Sequence, residues 1–185
     1  MMETEKDIFL ENDVKVLTTV TKIMRWMWVV FPAVLMGNLI GVFQIDYLSL
    51  LVLGAASTLI LFLPTAAEKL GASIRLRRYL CVLGMGSVVA MLATNPDIGI
   101  YLTYGLAMTM SLLFFDHIFT LNISIVSYIL IVLSLYARSF GANHGEYDTP
   151  FMWWVSRSLG FLIESILMSS VCIVIAKVSH ARLYA

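Results

Sequence analysis

Charged residues are scarce in this sequence. Only 13% of the 185 residues are Asp, Glu, Lys or Arg, about half of the roughly 25% that is usual for a soluble domain. The 12 basic and 12 acidic residues cancel, which argues against a protein that binds nucleic acid through a basic surface. The two cysteines, Cys81 and Cys172, stand in apolar runs, and this excludes a scaffold held together by disulfides.

Motifs of catalysis and metal binding are also missing. The sequence has no Walker loop, no Gly-x-Ser-x-Gly and no Cys-x-x-Cys, and its three His residues are far apart in the chain. We therefore expect neither an enzyme nor a bound metal or cofactor.

Long apolar runs are what the sequence does have. Hydrophobic residues make up 60% of the chain, and the mean hydropathy is +0.89. A transmembrane helix needs about 20 mostly apolar residues. Six segments fit this length approximately: Met24 to Phe43, Tyr47 to Pro64, Tyr79 to Thr94, Ile98 to Phe115, Phe119 to Tyr136 and Ser156 to Ala176.

The sequence thus predicts an all-α, polytopic membrane protein, with a six-helix transmembrane bundle over residues 23–177. Residues 178–185 would begin a cytoplasmic exit helix. Residues 1–22 carry apolar side chains at roughly helical spacing among many charges, which predicts an amphipathic N-terminal helix: Ile8, Val14, Leu17 and Val20. This helix would lie on the inner membrane face, run into the first span or pack on a partner helix.

Basic residues indicate the orientation of the bundle. With both termini cytoplasmic, ten of the twelve Lys and Arg residues fall on the inner side, and Arg138 and Arg157 alone fall on the outer side. We therefore expect a multi-pass membrane protein with both termini cytoplasmic and with the lipid bilayer as its first partner.

One ionisable residue lies well inside a predicted span. Glu164 follows Arg157 by seven residues in the sixth span, so the two share a helix face about 11 Å apart. A carboxyl group at this depth is either a ligand-contacting or proton-sensing group, or a structural hydrogen-bonding partner between helices. Asn38 in the first span allows the same two interpretations.

Aromatic residues gather in the outer half of the predicted bundle. Tyr101, Tyr104 and Met108 form one helical stripe, and Trp153 and Trp154 precede the sixth span. They could line a cleft for a small amphipathic ligand or be a core stripe with an interfacial belt. The candidate ligand-binding residues are Glu164, Arg157, Asn38, Tyr101, Tyr104 and Trp154.

Three segments carry a resemblance to a known type of membrane region. They are Leu92 to Tyr101 (LATNPDIGIY), Leu113 to Thr120 (LFFDHIFT) and Arg157 to Glu164 (RSLGFLIE). Together they resemble the N-terminal six-helix membrane sensor region of bacterial signalling proteins, either chemoreceptor-like methyl-accepting proteins or GGDEF diguanylate cyclases. The chain departs from that pattern at His117, where such regions usually carry Lys or Arg.

The resemblance implies a sensory input domain without catalysis of its own. It would detect a small molecule or a membrane state, act as a homodimer, and pass the signal through the sixth span. No GGDEF sequence or methylation helix follows that span, so a cytoplasmic signalling domain would be supplied in cis or in trans. Two other functions stay open: a small transporter or permease subunit, with Glu164 as its proton or cation site, and a structural anchor that dimerises a cytoplasmic partner.

Overall fold

The computed structural model describes the backbone of residues 2–95, 102–143, 145 and 147–183, and the side chains of residues 11–95, 104–143, 145 and 147–181. In these residues the chain is helical and contains no strand. Two short 3-10 helices flank α5, at Leu102–Gly105 and Leu112–Phe114. The α-helices are α1 (Met2–Met27), α2 (Val30–Leu39), α3 (Tyr47–Lys69), α4 (Ile74–Ala93), α5 (Leu106–Ser111), α6 (His117–Ser139) and α7 (Pro150–Leu183).

Five helical segments are long and apolar enough to cross a membrane. They are Glu11–Leu39, Tyr47–Lys69, Ile74–Ala93, His117–Ser139 and Pro150–Ala181. A helix satisfies its own backbone hydrogen bonds, which the interior of a bilayer requires. The prediction of an all-α membrane protein is confirmed to this extent.

Local capping signals set where several helices begin and end. The Asp46 carboxylate accepts a hydrogen bond from the Ser49 amide, and the Ser73 hydroxyl accepts one from the Leu76 amide. These caps satisfy amide groups that have no partner within the first helical turn. After α3, Gly71 adopts φ +71°, a conformation that glycine takes without the steric cost of a side chain.

No helix boundary separates the N-terminal segment from the first predicted span, because α1 continues from Met2 to Met27. Helix α1 runs without a break through residue 22 and is interrupted only at Trp28 and Val29. Leu17 and Val20 of the predicted stripe are buried, but Val14 is 46% exposed. The side chain of Ile8 lies outside the described residues. A separate amphipathic helix over residues 1–22 is not observed, because Leu17 and Val20 pack into the bundle beside α4 within the continuous helix α1.

The fourth predicted span, Ile98 to Phe115, is not a continuous helix in its described part. It consists of the two 3-10 helices and the six-residue α5, each too short to cross a bilayer alone. Phe115 ends it with φ +50°, a left-handed conformation in which a helix does not continue. The structure thus does not confirm the count of six spans.

Two clusters of buried side chains form the core; the larger extends along α4 from Cys81 to Leu92, and the smaller lies at the end that contains Trp153. The Arg78-end core joins residues of α1 and α4 to the residues around the α6 start, including Leu17, Val20, Cys81, Val82, Phe114 and Phe119. The Trp153-end core contains Val89, Ala93, Tyr104, Ile131, Leu135 and Trp153. Helix α4 thus runs from the first core towards the second, whereas the chain from Tyr104 to Phe114 runs back.

Arg78 connects three elements at its end of the bundle. Its two terminal nitrogens donate to Asp13 of α1 and Asp116 before α6, both at 3.0 Å. The guanidinium also lies over the rings of Phe114 and Phe119, at 4.8 and 4.4 Å from their centroids, in cation–π geometry. These contacts together hold α1, α4 and the start of α6 in one arrangement; we call them the Arg78 cluster.

Asp116 has a second role as the N-cap of α6. Its carboxylate accepts hydrogen bonds from the amides of Ile118 and Phe119. Burial alone would raise the pKa of Asp116, but the Phe119 amide and the Arg78 guanidinium hold that pKa below its ordinary value. Because the folded-state pKa is depressed, the stabilisation is present above the ordinary carboxyl pKa of about 3.9 and is lost as the pH falls through the lower, folded value.

Replacing Arg78 with Gln tests this cluster. We expect the free energy of unfolding to fall by about 1.5–3 kcal/mol, because the charge-assisted hydrogen bonds of this partly buried group are lost and Asp13, whose side chain is 13% exposed, loses its charged partner. Arg75→Gln is the matched control, since Arg75 is exposed on the same helix. Thermal unfolding of both variants in detergent measures the difference, and equal stabilities would contradict the prediction.

Candidate functional site

A groove lies beside α7 at the Trp153 end. Residues of the broken fourth segment, α6 and α7 line it. The first part of the groove, which we call the arginine cavity, has a volume of about 330 Å³. Its lining residues are Tyr104, Leu135, Arg138, Tyr147, Trp153, Ser156, Arg157, Gly160, Phe161 and Glu164.

A second cavity of about 440 Å³ continues the groove and is mainly apolar. We call it the apolar trough. Tyr104, Phe161 and Glu164 line both cavities, so the two form one groove. The remaining lining residues of the trough are Gly105, Met108, Ile131, Ser165, Leu167, Met168 and Val171. Volumes of this size are typical of small-molecule sites.

Tyr104 forms the floor where the cavities meet. Its side chain is buried, and its hydroxyl lies 3.4 Å from the Ser134 hydroxyl of α6. Its ring meets the Phe161 ring edge-on, with centroids 5.2 Å apart, a favourable arrangement for aromatic pairs. Tyr104 therefore holds the broken segment against both α6 and α7.

Two arginines from different helices line the outer part of the groove. Arg138 stands in the last turn of α6, and Arg157 lies near the start of α7. The Arg157 guanidinium is 5.9 Å from the centre of the Trp153 ring. Nearby, the Tyr147 and Ser156 hydroxyls are 2.7 Å apart, which ties the loop before α7 to the helix itself.

Glu164 lies at the junction of the two cavities and is exposed. Two amide side chains of the helices, Asn38 and Asn122, are of the type that could bond to its carboxyl group between helices, but both bind elsewhere. Asn38 bonds to Ile45, and the Asn122 amide donates to the Tyr79 hydroxyl at 3.2 Å. The amide side chains thus leave the Glu164 carboxylate available to the groove.

The structure brings together three of the six candidate residues and places two others, Trp154 and Asn38, outside the groove. Glu164, Arg157 and Tyr104 line the groove. Trp154 does not line it, because its indole N–H donates to the Val132 carbonyl at 3.0 Å and its ring packs on Tyr136. Tyr101 lies outside the described residues.

Asn38 has a structural role in the turn between α2 and α3. Its amide donates to the Ile45 carbonyl at 3.0 Å, and its carbonyl accepts from the Ile45 amide at 2.9 Å. Both residues are buried, so these two bonds satisfy backbone groups that water does not reach. The ligand-binding interpretation of Asn38 is not supported, since neither cavity includes it.

The sequence analysis did not select Arg138, Tyr147 or Phe161 as site residues. A signal for Arg138 was present, because Arg138 and Arg157 are the two basic residues that the charge distribution places on the outer side. Their proximity in space depends on the packing of α6 against α7. Among the described residues, no group of three or more His, Cys, Asp or Glu side chains is arranged to hold a metal ion.

An Asn38→Ala variant separates structure from binding. We expect a loss of about 1–3 kcal/mol of stability, because the polar groups of Ile45 would lose their buried partners, and no change at the groove. The neighbouring exposed residue gives the control, Gln44→Ala, which should unfold at the wild-type temperature. A stable Asn38→Ala protein would show that the two bonds contribute little.

Comparisons with known proteins do not identify this chain. No protein-family model, curated protein or solved structure matches it significantly. The functional argument therefore depends on the groove and on the helices that form it.

Proposed function

We propose that this chain is the membrane-embedded sensory input domain of a bacterial signalling protein, which passes a signal along α7 to a cytoplasmic output module. The observation that carries this proposal is the extent of α7. This helix is 34 residues long without interruption, or about 50 Å. Its first half lines the groove, and its last part continues past Ala176, where the output module would follow.

The contacts of α7 suit a helix that moves as a unit. Three of its buried positions, Ser158, Ser165 and Cys172, are seven residues apart and lie along one side of the helix; Trp153 and Ala176 are buried as well, and α7 packs mainly on α6. Most of its large apolar side chains are exposed, including Ile163, Leu167, Val171, Val174 and Val178. A ligand in the groove would touch α7 on one side and α5 and α6 on the other, and so change their spacing.

Signalling of this kind requires two arrangements of the bundle with different affinities for the signal. The coupling free energy in such systems is typically about 1–3 kcal/mol, or about 5- to 150-fold. The simplest two states differ by a displacement or rotation of α7, because the Arg78 cluster holds α1, α4 and the start of α6 in one arrangement. Within a homodimer, the two exit helices would transmit the change together.

We also propose that the chain crosses the inner membrane six times, with both termini cytoplasmic. The fourth crossing would be the broken segment. The described residues 102–114 span about 20 Å, from the helical rises, and they connect the Trp153 end to the Arg78 end. Interrupted backbone is tolerated at this depth where protein covers it or a cavity adjoins it, as α4, α6 and the groove do here.

Cysteine accessibility tests the number of crossings. Leu70→Cys and Asp148→Cys place thiols at exposed positions in the turn after α3 and in the loop before α7. With a fourth crossing, these thiols lie on opposite sides of the membrane, so an impermeant maleimide labels only Asp148→Cys in intact spheroplasts. Without that crossing, both positions lie on one side and show the same labelling, which would contradict the six-span topology.

Glu164→Gln tests the input function. The chain is fused after Ala185 to a diguanylate cyclase catalytic domain, and cyclic dinucleotide is measured in cells. We expect this substitution to change output by at least about fivefold, because it removes the one carboxylate that lines both cavities, while expression and thermal stability stay as in wild type. Arg75→Gln, at the opposite end, should leave output unchanged. Wild-type output from a folded Glu164→Gln protein would contradict the role of this residue.

The structural-anchor function makes the opposite prediction for the same fusion. Exchange of residues 1–183 for an unrelated dimeric membrane anchor would then preserve output. If the domain is an input module, that exchange changes the output, because the groove that receives the signal is lost.

A transporter is the second candidate, and two features of the fold favour it. The broken fourth segment lines the groove, as discontinuous helices do in many transporters. Helices α3 and α6 also resemble each other, as corresponding helices of a repeated transporter fold would. Both are 23 residues long and begin after an Asp cap. Four buried positions of α3 correspond to buried positions of α6 that lie 70 residues later in the chain. The matching buried pairs are Leu50 with Thr120, Ser57 with Ser127, Leu61 with Ile131 and Pro64 with Ser134. Proton flux in proteoliposomes that Glu164→Gln abolishes would favour this function, whereas a sensor gives none.

A further inference from the structure

We infer that the groove beside α7 binds a hydrophobic organic cation, a molecule whose positive charge is surrounded by apolar groups. The Glu164 carboxylate would be its counter-ion, and the apolar trough would hold its apolar groups. This inference rests on the groove that the proposed function uses, but it concerns binding alone and names the class of ligand. It follows from where the charged residues of α7 lie relative to the two cavities.

Glu164 lies near the centre of a helix that is long and apolar enough to cross a membrane, Pro150–Ala181. Its side chain is exposed, and within the part of the chain that the structure describes no hydrogen bond or ion pair engages its carboxylate. A charged side chain at this depth is costly unless an opposite charge or a polar group meets it. A cationic ligand would supply that opposite charge.

The apolar trough selects the sign of the ligand charge. Of the described residues that line the trough, Glu164 alone carries a charge. The others offer aromatic rings, thioether groups, small residues and aliphatic side chains. Because water screens charges poorly inside an apolar cavity, one carboxylate there attracts a cation and repels an anion. The trough has a volume of about 440 Å³, which suits a small molecule.

Aromatic and thioether side chains give the cation further attractive surfaces. The rings of Tyr104 and Phe161 line the trough together with Glu164, and their centroids are 5.2 Å apart. Aromatic faces attract a cation that lies within about 6 Å of the ring centre. Met108 and Met168 also line the trough, and thioether side chains adapt to apolar ligands of different shapes. This lining suits a charge covered by apolar groups.

The two arginines of the groove place the cation on the trough side of Glu164. Arg157 precedes Glu164 by about 10 Å along the helix and lines the arginine cavity but not the trough. Arg138 lines the same cavity and already takes part in an interaction within the protein. A cation in the arginine cavity would be repelled by both guanidinium groups. In the trough it meets the carboxylate first.

The ligand would enter the trough from the membrane. Leu167 is 64% exposed and Met168 is 37% exposed, so the rim of the trough faces the bilayer. A lipid chain gains little by moving into the trough, because its surroundings are apolar on both sides. A hydrophobic cation gains the charge pair with Glu164 in addition. Charge therefore decides which molecule occupies the trough.

Tetraphenylphosphonium is a suitable probe, because it is a permanently charged hydrophobic cation. Equilibrium dialysis of the radiolabelled ion measures its binding to the full chain in dodecyl maltoside, with protein-free micelles subtracted. We expect saturable binding to wild type and an affinity at least about tenfold weaker for Glu164→Gln, because removing one partner of a desolvated charge pair costs affinity. Arg75→Gln, a charge change at the other end of the bundle, should bind as wild type does. Wild-type affinity of a folded Glu164→Gln protein, or no saturable binding to wild type, would overturn the inference.

The sign of the charge can be tested at constant shape. Tetraphenylborate carries the same four phenyl rings as tetraphenylphosphonium and the opposite charge. Dialysed alone under the same conditions, it should bind at least about tenfold more weakly than the cation, because Glu164 repels it. Equal affinities of the two ions would show that size and apolar surface decide binding, and would overturn the assignment of a cation.

Added bulk tests the position of the ligand. Met168→Trp fills part of the trough from its exposed rim, whereas Met152→Trp adds the same bulk at an exposed position of α7 outside both cavities. We expect both variants to fold and only Met168→Trp to lose the probe. Arg157→Gln removes a like charge and should bind at least as tightly as wild type. Equal binding by the two Trp variants, or weaker binding by Arg157→Gln, would overturn the placement in the trough.

The binding site and the sensor function can fail separately. Binding that depends on Glu164 but leaves the output of the cyclase fusion unchanged on addition of tetraphenylphosphonium would contradict the sensor function alone. An output that depends on Glu164, in a chain that binds no tetraphenylphosphonium, would contradict this inference alone.

Discussion

The buried ion pair of Arg78 is the interaction on which the arrangement of the bundle depends. A guanidinium is costly to remove from water unless charged partners and hydrogen bonds compensate it, and here Asp13, Asp116 and two aromatic rings do so. These partners come from α1, from the turn before α6 and from the α6 start. One charge therefore fixes three elements relative to one another, and the Arg78-end core fills the space between them.

The Trp153 end is built differently and stays open. Its core is smaller, and the two arginines beside it, Arg138 and Arg157, line a cavity. Helix α7 contributes no residue to the Arg78-end core among the residues that the structure describes. The bundle thus combines a closed end, held by charge, with an open end where a long helix borders a groove. This asymmetry suits a domain in which one helix responds to a ligand while the others keep their positions.

Only part of the candidate site could be predicted from the sequence. What allowed or prevented the prediction differs from residue to residue. Arg157 and Glu164 lie on one helix, so helical periodicity is enough to place them on one face. Asn38 could not be distinguished from them by sequence, because a polar side chain in an apolar run looks the same whether it closes a turn or faces a ligand. Its bonds to Ile45 depend on how the chain bends after α2. Arg138 joins the site through the packing of α6 on α7, which no local pattern records.

The sequence by itself determined that this chain is suited to a lipid bilayer and that its structure is helical. A chain with 60% hydrophobic residues and few charges can satisfy the hydrogen bonds of its backbone in a bilayer only as helices or a closed barrel. The lengths of its apolar segments select helices. Only the tertiary structure decided which apolar segments are continuous. The fourth segment is as apolar as a span, yet it divides into short helical pieces between α4 and α6. Residues of this divided segment, Tyr104, Gly105 and Met108, line the groove beside α7.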